Sequence, residues 1–325
     1  MASLRNVIST LKAYQPEFLD FTWGAGGSTS DLTFELCKMT KEEFGENPNM
    51  HLTCTNMDAA KIDIALESCK KVGITNILAL RGDPPVGQEK WEVAEGGFKC
   101  ALDLTRYIRE KHGDYFCVSV AGYPEGHPAA MTELPVEKLA DLTPSEMQRF
   151  SRDEKVIKEG EEERTENVIN ICLDGAFKGE MEYLKAKIDA GASMIVTQMF
   201  FDVEIYARFV KDCRDYGINV PVVPGIMCIA SYGGFKRMIK FCKTRVPEEV
   251  MAKMEELKED PDAVKKYGIQ FGIDMCRRMQ EMGAPGFHFY TLNTSTVTVA
   301  IIEGLGYTAT AAADPTVFTS VTANA

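Results

Sequence analysis

Polar side chains follow most of the short apolar runs in this sequence, and they are the residues best suited to chemistry. They offer hydroxyl, carboxylate, phenol and amide groups, and they are Thr22, Thr55, Asp83, Tyr123, Gln198 and Asn293. If the apolar runs are parallel strands of a barrel, these residues meet at one end of it, where such folds build their sites. The pattern therefore predicts a small-molecule site at the carboxyl ends of the strands.

The elements that carry these residues repeat one unit, in which an amphipathic helix is followed by a glycine and a buried strand. In the clearest case, apolar residues from Ile62 to Val72 recur at helical spacing, and Gly73 follows as a helix stop. The apolar run at 76–80 comes next and is typical of a strand buried on both faces. The same order recurs at Gly113, Gly191, Gly217 and Gly283. Alternating helices and strands predict an α/β fold with a parallel sheet.

A (β/α)8 TIM-type barrel fits this pattern better than an open doubly wound sheet. The first strand is not followed by a Gly-x-Gly-x-x-Gly turn, and polar residues end almost every strand. Only seven strands are recognisable, near residues 18–23, 51–55, 76–82, 117–123, 193–200, 220–227 and 286–292. The chain opens with a helix, so we predict that the first barrel strand is missing from the sequence.

Two segments stand outside the repeat. The charged stretch at 131–178 predicts a solvated insertion that is helical in part. The tail at 308–325 is rich in alanine and threonine, and we predict that it is poorly ordered. One barrel domain is then expected over residues 1–307.

Bulk properties narrow the class of protein. The net charge of -12 argues against nucleic acid as a partner, because a nucleic-acid binder needs a basic stripe. The ten cysteines form no Cys-x-x-Cys pair, which favours a reducing compartment. Without a signal-like segment or a long apolar run, the expectation is a cytoplasmic protein with no membrane partner and no metal site. The oligomeric state stays open, and a homo-oligomer is compatible with the sequence.

Seven motifs at the strand ends carry a resemblance to a known family. They are Phe-Thr-Trp-Gly at 21–24, His-Leu-Thr-Cys at 51–54, Ala-Leu-Arg-Gly-Asp-Pro at 79–84, Ala-Gly-Tyr-Pro-Glu-Gly-His-Pro at 121–128, Thr-Gln-Met-Phe-Phe-Asp at 197–202, Pro-Gly-Ile at 224–226 and His-Phe-Tyr-Thr-Leu-Asn at 288–293. In this order they resemble the eukaryotic catalytic domain of methylenetetrahydrofolate reductase over about residues 4–306. The resemblance implies an FAD flavoprotein of one-carbon and methionine metabolism. Such an enzyme reduces 5,10-methylenetetrahydrofolate to 5-methyltetrahydrofolate with NADPH or NADH.

The resemblance also implies roles for individual residues. Thr22 would bind the isoalloxazine ring, Asp83 would tune the flavin and stabilise a cationic folate intermediate, and Gln198 would bind the pterin. The further positions that match cofactor contacts are His51, Arg81, Gly82, Ala101, Tyr123, His127 and Lys187. Arg81 and Lys187 would offer positive charge to the diphosphate.

Plainer interpretations of these residues stay open from the sequence alone. Asp83 precedes two prolines and suits a turn, while Gln198 suits a strand end. A lone histidine such as His51 is more often a core residue than a ligand. His127 suits a loop, and Lys187 suits the polar face of a helix.

The sequence departs from the family pattern in several places. The family's catalytic glutamate, in a Glu-Phe-Phe-Pro-Pro motif on the first strand, is absent, and neither Glu125 nor Asp20 is a convincing replacement. Thr294 stands where an arginine often reaches for the substrate. Cys100 replaces a common tyrosine and Glu180 a common aspartate.

Three hypotheses follow from these motifs and departures. The first is a reductase whose folate turnover is weakened by the missing acid, since general acid catalysis contributes about 10²–10⁴-fold. The second is a truncated relative that binds FAD or a partner subunit without catalysis. The third, another pterin-handling barrel, is disfavoured because the sequence has no cobalamin or zinc-thiolate motif. The family's C-terminal regulatory domain is also absent, so we expect no inhibition by S-adenosylmethionine.

Overall fold

The computed structural model describes residues 2–22, 30–84, 91–159, 162–309 and 319–323. The strands are β1 (Leu19–Phe21), β2 (Pro48–Thr53), β3 (Asn76–Leu80), β4 (Cys117–Gly122), β5 (Thr132–Pro135), β6 (Phe150–Glu159), β7 (Glu162–Ile171), β8 (Met194–Met199), β9 (Val222–Met227), β10 (Phe287–Tyr290) and β11 (Thr319–Ala323). The helices are α1 (Ala2–Lys12), α2 (Ser30–Phe44), α3 (Ala59–Val72), α4 (Ala101–His112), α5 (Asp174–Asp189), α6 (Val203–Asp215), α7 (Tyr232–Cys242), α8 (Glu248–Leu257), α9 (Pro261–Glu281) and α10 (Thr296–Gly304).

Eight parallel strands close into a barrel in the order β1-β11-β10-β9-β8-β4-β3-β2. The predicted fold class is confirmed, and each of the seven predicted strands is present within a few residues of its expected bounds. The first was predicted to reach residue 23, which lies outside the described residues. Helices pack around the strands and bury an apolar shell between the two layers.

The eighth strand comes from the C-terminal tail, where the sequence predicted poor order. For residues 319–323 that prediction is wrong: β11 pairs in parallel with β1 and with β10, placing Thr322 opposite Asp20 and Ser320 opposite His288. Residues 308–309 have no regular structure, and the rest of the tail lies outside the described residues. An unpaired β1 and β10 would each expose a row of backbone donors and acceptors. A Thr-Ser-Val-Thr-Ala segment suits such a gap because β-branched residues favour strands.

The insertion is mainly a small antiparallel sheet in the order β5-β7-β6. The prediction of a partly helical segment is wrong for most of it, because the described residues between 131 and 173 contain only short 3₁₀ turns at Val136–Asp141 and Glu146–Gln148. β6 and β7 pair over ten residues each, so cross-strand pairing decides the conformation of a charged sequence with no helical periodicity. The insertion ends before 178, since α5 begins at Asp174.

Local sequence signals explain where helix α3 begins and ends. Asp58 caps α3 by accepting a hydrogen bond from the Lys61 backbone N–H at 2.8 Å. Gly73 ends the same helix with φ of 79°, and its N–H bonds back to the carbonyls of Cys69 and Lys70. Within the described ranges, no helix is long and apolar enough to cross a membrane.

Candidate active site

The turn after β3 carries Arg81, Gly82 and Asp83 and is built around one close approach. Gly82 has φ of 88°, and a Cβ atom on it would lie 2.3 Å from Thr55 Oγ1. The Thr55 hydroxyl donates to the Asp83 carbonyl, 2.9 Å away, and accepts from Trp91 Nε1 at 2.9 Å. Only glycine fits this backbone and this contact, so the turn holds Asp83 at the mouth of the barrel.

Asp83 itself is exposed at the mouth. Its charge reaches the Tyr123 hydroxyl, whose pKa is raised first by burial and then by Asp83. On the other side of the turn, the Arg81 guanidinium lies 5.5 Å from the centre of the Trp91 ring. The turn thus presents one negative group and one positive group to different parts of the site.

A cavity of about 310 Å³ beside this turn collects most of the predicted cofactor residues. Arg81, Ala101, Tyr123, His127 and Lys187 all line it, although they come from the β3 turn, α4, the loop after β4, and α5. Gly82 and Asp83 adjoin it through Arg81. The plain loop and helix-face interpretations of His127 and Lys187 do not account for this convergence.

The amino end of α4 opens into the same cavity. Its cap residue, Cys100, makes no side-chain capping hydrogen bond in the described part of the chain. The Leu102 N–H donates to the Tyr183 hydroxyl at 3.4 Å. A helix amino terminus carries a partial positive charge and free N–H groups, so it attracts an anion.

Lys187 places a buried ammonium opposite this helix end. It is 4 % exposed, donates to the Ala121 carbonyl at 2.8 Å, and lies 4.9 Å from the centre of the Tyr183 ring. Burial lowers its pKa to about 8, against the opposing effect of Glu180. A buried cation with a lowered pKa gains most when an anion binds beside it.

His127 experiences the same positive surroundings. Burial, together with the charges of Arg81 and Lys187, lowers its pKa to about 4. Its Nδ1 accepts from the Ala129 N–H at 3.0 Å, and its ring packs edge-on against Tyr123 with centres 4.6 Å apart. The imidazole is therefore held neutral in a fixed orientation at the cavity wall.

The structure places three other predicted residues outside this cavity. Gln198 is half-buried near the end of β8, where its Oε1 accepts from the Met199 N–H at 3.0 Å. Thr22 follows β1, and its carbonyl accepts from the Thr33 hydroxyl at 3.0 Å. His51 points into the barrel, with Nε2 3.5 Å from Asp20 Oδ1. For His51, the core-histidine interpretation describes its contacts better than a cofactor contact.

The departures noted in the sequence have structural counterparts. Glu125 is 6 % exposed, and its Oε2 accepts from the Arg245 backbone N–H at 2.8 Å. Burial raises its pKa to about 8. Thr294 donates its hydroxyl to the Thr291 carbonyl at 2.9 Å, which closes a local turn. Thr294 therefore serves its own turn, while Glu125 joins its loop to the segment between α7 and α8.

Sequence reasoning missed two residues of the cavity region. Tyr183 lies four residues before Lys187 on α5, and this spacing places both on one helix face. That signal was available. Trp91 lies in a stretch of sequence without periodicity, so only the fold shows that it packs beside Arg81 and Thr55.

A larger cleft of about 1330 Å³ lies between β6 and helices α6 to α9. None of the predicted site residues lines it, and its walls mix acidic and basic side chains. Size alone does not identify a site, whereas convergent polar groups with perturbed pKa values do. We therefore assign the candidate site to the smaller cavity at the barrel mouth. Among the described residues, no group of three or more potential ligands could hold a metal ion.

Comparison with known proteins shows the family of the chain. The family model described as methylenetetrahydrofolate reductase matches residues 1–156 and 170–306. The chain belongs to this family. The interval between the two matched segments falls within β6 and β7, so the family pattern is interrupted at the antiparallel hairpin.

Three relatives show how the family likeness is distributed. "Methylenetetrahydrofolate reductase (NADH) 1" of Arabidopsis thaliana is 46% identical over 91% of this chain and 44% of its own length. A probable NADPH form from Caenorhabditis elegans is 35% identical over 89% of the chain and 37% of its own length. The "5,10-methylenetetrahydrofolate reductase" of Pectobacterium carotovorum is 32% identical over 94% of the chain and 85% of its own length. The chain thus spans less than half of these plant and animal relatives.

Proposed function

We propose that this chain reduces 5,10-methylenetetrahydrofolate to 5-methyltetrahydrofolate with a nicotinamide co-substrate and FAD. The observation that carries the proposal is the cavity at the barrel mouth, where Arg81, Ala101, Tyr123, His127 and Lys187 converge. Family membership supports the same reaction. A truncated relative without catalysis gains no support from a cavity that keeps these groups together.

The cavity residues suit the diphosphate of FAD. Lys187 and Arg81 supply positive charge, and the uncapped amino end of α4 supplies N–H donors. His127 and Tyr123 form a wall without net charge, which suits the uncharged parts of the cofactor. FAD supplies the hydride transfer when bound, and the protein supplies binding, orientation and electrostatics.

The substrate end of the proposed site lies across the mouth. Asp83 holds an exposed carboxylate there, and negative charge stabilises a developing cation on the methylene group. Gln198 is the strand-end amide of β8, and we propose that it binds the pterin through its amide N–H₂, since its Oε1 already accepts from Met199. Asp83 and Gln198 thereby act on the substrate, while the Lys187 side binds the cofactor.

NADH is the proposed co-substrate. The plant relative named as an NADH enzyme is more similar to this chain than the animal relative named as an NADPH enzyme. Comparison of the two nicotinamides at equal concentration tests this choice. Faster flavin reduction by NADPH would contradict it.

The test of the proposed function is a visible spectrum of the purified protein under anaerobic conditions. We expect a yellow protein whose 450-nm band (about that of free flavin) bleaches with NADH and returns when methylenetetrahydrofolate is added. Bleaching without return would show that only the flavin half of the reaction survives. A colourless protein that takes up no FAD would contradict the proposal.

A further inference from the structure

Three titratable side chains occupy the interior of the barrel one layer below its mouth. They are Asp20 on β1, His51 on β2 and His288 on β10, and each is at least nine-tenths buried. His288 Nε2 lies 2.6 Å from Asp20 Oδ2, and His51 Nε2 lies 3.5 Å from Asp20 Oδ1. The second contact lacks hydrogen-bond geometry and acts mainly through charge. Barrel interiors are usually filled by Val, Ile and Leu, so this cluster requires a reason.

The cluster contains a carboxylate that is ionised at neutral pH. Burial raises the pKa of Asp20, but the hydrogen bond with His288 and the close contact with His51 outweigh burial and bring it to about 2. A buried carboxylate is costly unless a positive partner compensates it. Among the described residues, Asp20 also acts through its charge on Tyr290 of β10 and Cys37 of α2. Burial raises the pKa of each, so neither supplies a positive charge, and the polar groups in contact with the Asp20 carboxylate are the two imidazoles.

A line of polar side chains leads from this cluster along β2. Asn49, His51 and Thr53 alternate along the strand and so face the barrel interior together. Both amide atoms of Asn49, both ring nitrogens of His51 and the Thr53 hydroxyl are buried without a hydrogen-bond partner in the described part of the chain. Buried polar groups in native proteins are nearly always paired with protein or ordered water. Residues two apart on a strand are separated by about 6.6 Å, a gap that a bridging water can span.

This line reaches the candidate site. Thr53 ends β2, and a Cβ atom on Gly82 would lie 2.9 Å from Thr53 Cβ. Thr53 therefore abuts the turn that carries Asp83. One row of polar side chains thus joins the buried cluster to the turn of Asp83, the carboxylate that we propose acts on the substrate.

We propose that Asp20, His51 and His288 hold the proton that the reduction consumes, and that water beside His51 and Thr53 carries it to the barrel mouth. The proposal rests on the proposed function. The reaction adds a hydride from the nicotinamide to the methylene carbon, breaks the bond from that carbon to N10 of the folate, and places one proton on N10. Solvent then restores the proton to the cluster. Asp20, His51 and His288 act through water and are positioning residues rather than catalytic ones.

β11 lies next to β1 and has the sequence Thr-Ser-Val-Thr-Ala. This strand contains no carboxylic acid. Glu125 bonds to the Arg245 backbone N–H and lies outside the row on β2, so the cluster is the titratable group that this row joins to the Asp83 turn.

The first arm of the test uses the apoprotein and the ring ¹⁵N signals of its four histidines. At pH 7 we expect the rings of His51 and His288 to carry three N–H protons together, one more than two neutral imidazoles carry. Asp20→Asn should change both signals. His112→Gln is the matched control, because His112 is a largely buried histidine at the outer end of α4, beside Glu67. It should remove one signal and leave the cluster unchanged. Two neutral rings in the wild type would overturn the proposal.

The second arm uses the FAD-loaded protein and separates the two half-reactions by stopped flow. We expect Asp20→Asn and His288→Gln to slow flavin reoxidation by methylenetetrahydrofolate about tenfold or more, and to flatten its pH profile. Flavin reduction by NADH should change less than about threefold, because that step does not protonate N10. Thr53→Val keeps the charge cluster and interrupts the row, so it should show the same split with a smaller effect. His112→Gln should leave both rates unchanged.

The outcomes separate this proposal from the proposed function. If the folate cannot reoxidise the flavin of the wild-type protein, the proposed function is contradicted, and the role of the proton with it. The ring signals would still show whether the cluster is charged. A working wild type whose variants slow both half-reactions equally, or neither, overturns the proton source alone. If Asp20→Asn does not fold, Thr53→Val and His51→Gln carry the test, because both keep the contact between Asp20 and His288.

Discussion

The two sides of the barrel mouth are built in different ways. On the cofactor side, formed by β3, β4, α4 and α5, the important groups follow strands or cap helices that the sequence itself marks. On the closure side, formed by β1, β11 and β10, the structure depends on pairing between segments about 300 residues apart. Local sequence signals therefore describe the first side well and the second side poorly.

The largest effect should come from the turn on the cofactor side. Gly82→Ala would introduce a side chain at φ of 88° and within 2.3 Å of Thr55 Oγ1. Backbone strain and overpacking should together lower the free energy of unfolding by about 3 kcal/mol, measured by urea denaturation. Gly233→Ala is the control, because its Cβ meets nothing within 4 Å in α7. Equal stability of the two variants would mean that the turn is not the rigid unit described.

The next effect concerns cofactor affinity. Lys187→Met keeps a similar length but removes the buried ammonium, so FAD should bind about ten- to hundredfold more weakly, as expected for loss of a charged hydrogen bond. Fluorescence titration of the apoprotein with FAD measures this change. Lys185→Met is the matched control, since Lys185 lies on the same helix and pairs with Asp189 at the surface. If both variants bind alike, the cavity is not the diphosphate site.

The closure side is tested by a proline in β11. Val321→Pro would remove a backbone N–H from a strand paired on both sides, and should lower the free energy of unfolding by about 1–3 kcal/mol. Ala309→Pro, before β11 and outside any helix or strand, is the control. Urea denaturation measures both variants. If Val321→Pro is as stable as the wild type, β11 does not pair in the barrel in solution, and β1 and β10 have no strand between them.

These contrasts explain what the sequence could predict. The seven strands, the barrel class and five of the cavity residues were predictable, because helical periodicity, glycine stops and strand-end motifs are all local. The role of Asp20 was not predictable, because its partners His51 and His288 lie 31 and 268 residues further along the chain. The hairpin was missed because its charged strands β6 and β7 are defined by pairing with each other, and only the end near Ile169 and Ile171 is buried.

The smallest effect, about tenfold per pH unit, tests the electrostatics of the cofactor side. Lys187 must be protonated to attract the diphosphate, and burial lowers its pKa to about 8. FAD affinity should therefore fall about tenfold per pH unit as the pH rises above about 8, and Lys187→Met should lose this dependence.

The stability of the apoprotein should respond to the same group with the opposite sign. A lysine whose pKa is lower in the folded state than in the unfolded state binds fewer protons when folded. Its contribution to the free energy of unfolding therefore rises with pH between about 8 and the ordinary lysine value. Denaturation of the wild type and of Lys187→Met across this pH range measures the contribution of Lys187 to the free energy of unfolding. If FAD affinity falls with pH while the Lys187 contribution to the free energy of unfolding rises, one buried cation causes both changes. If both quantities fall together, the protein loses structure in general at high pH.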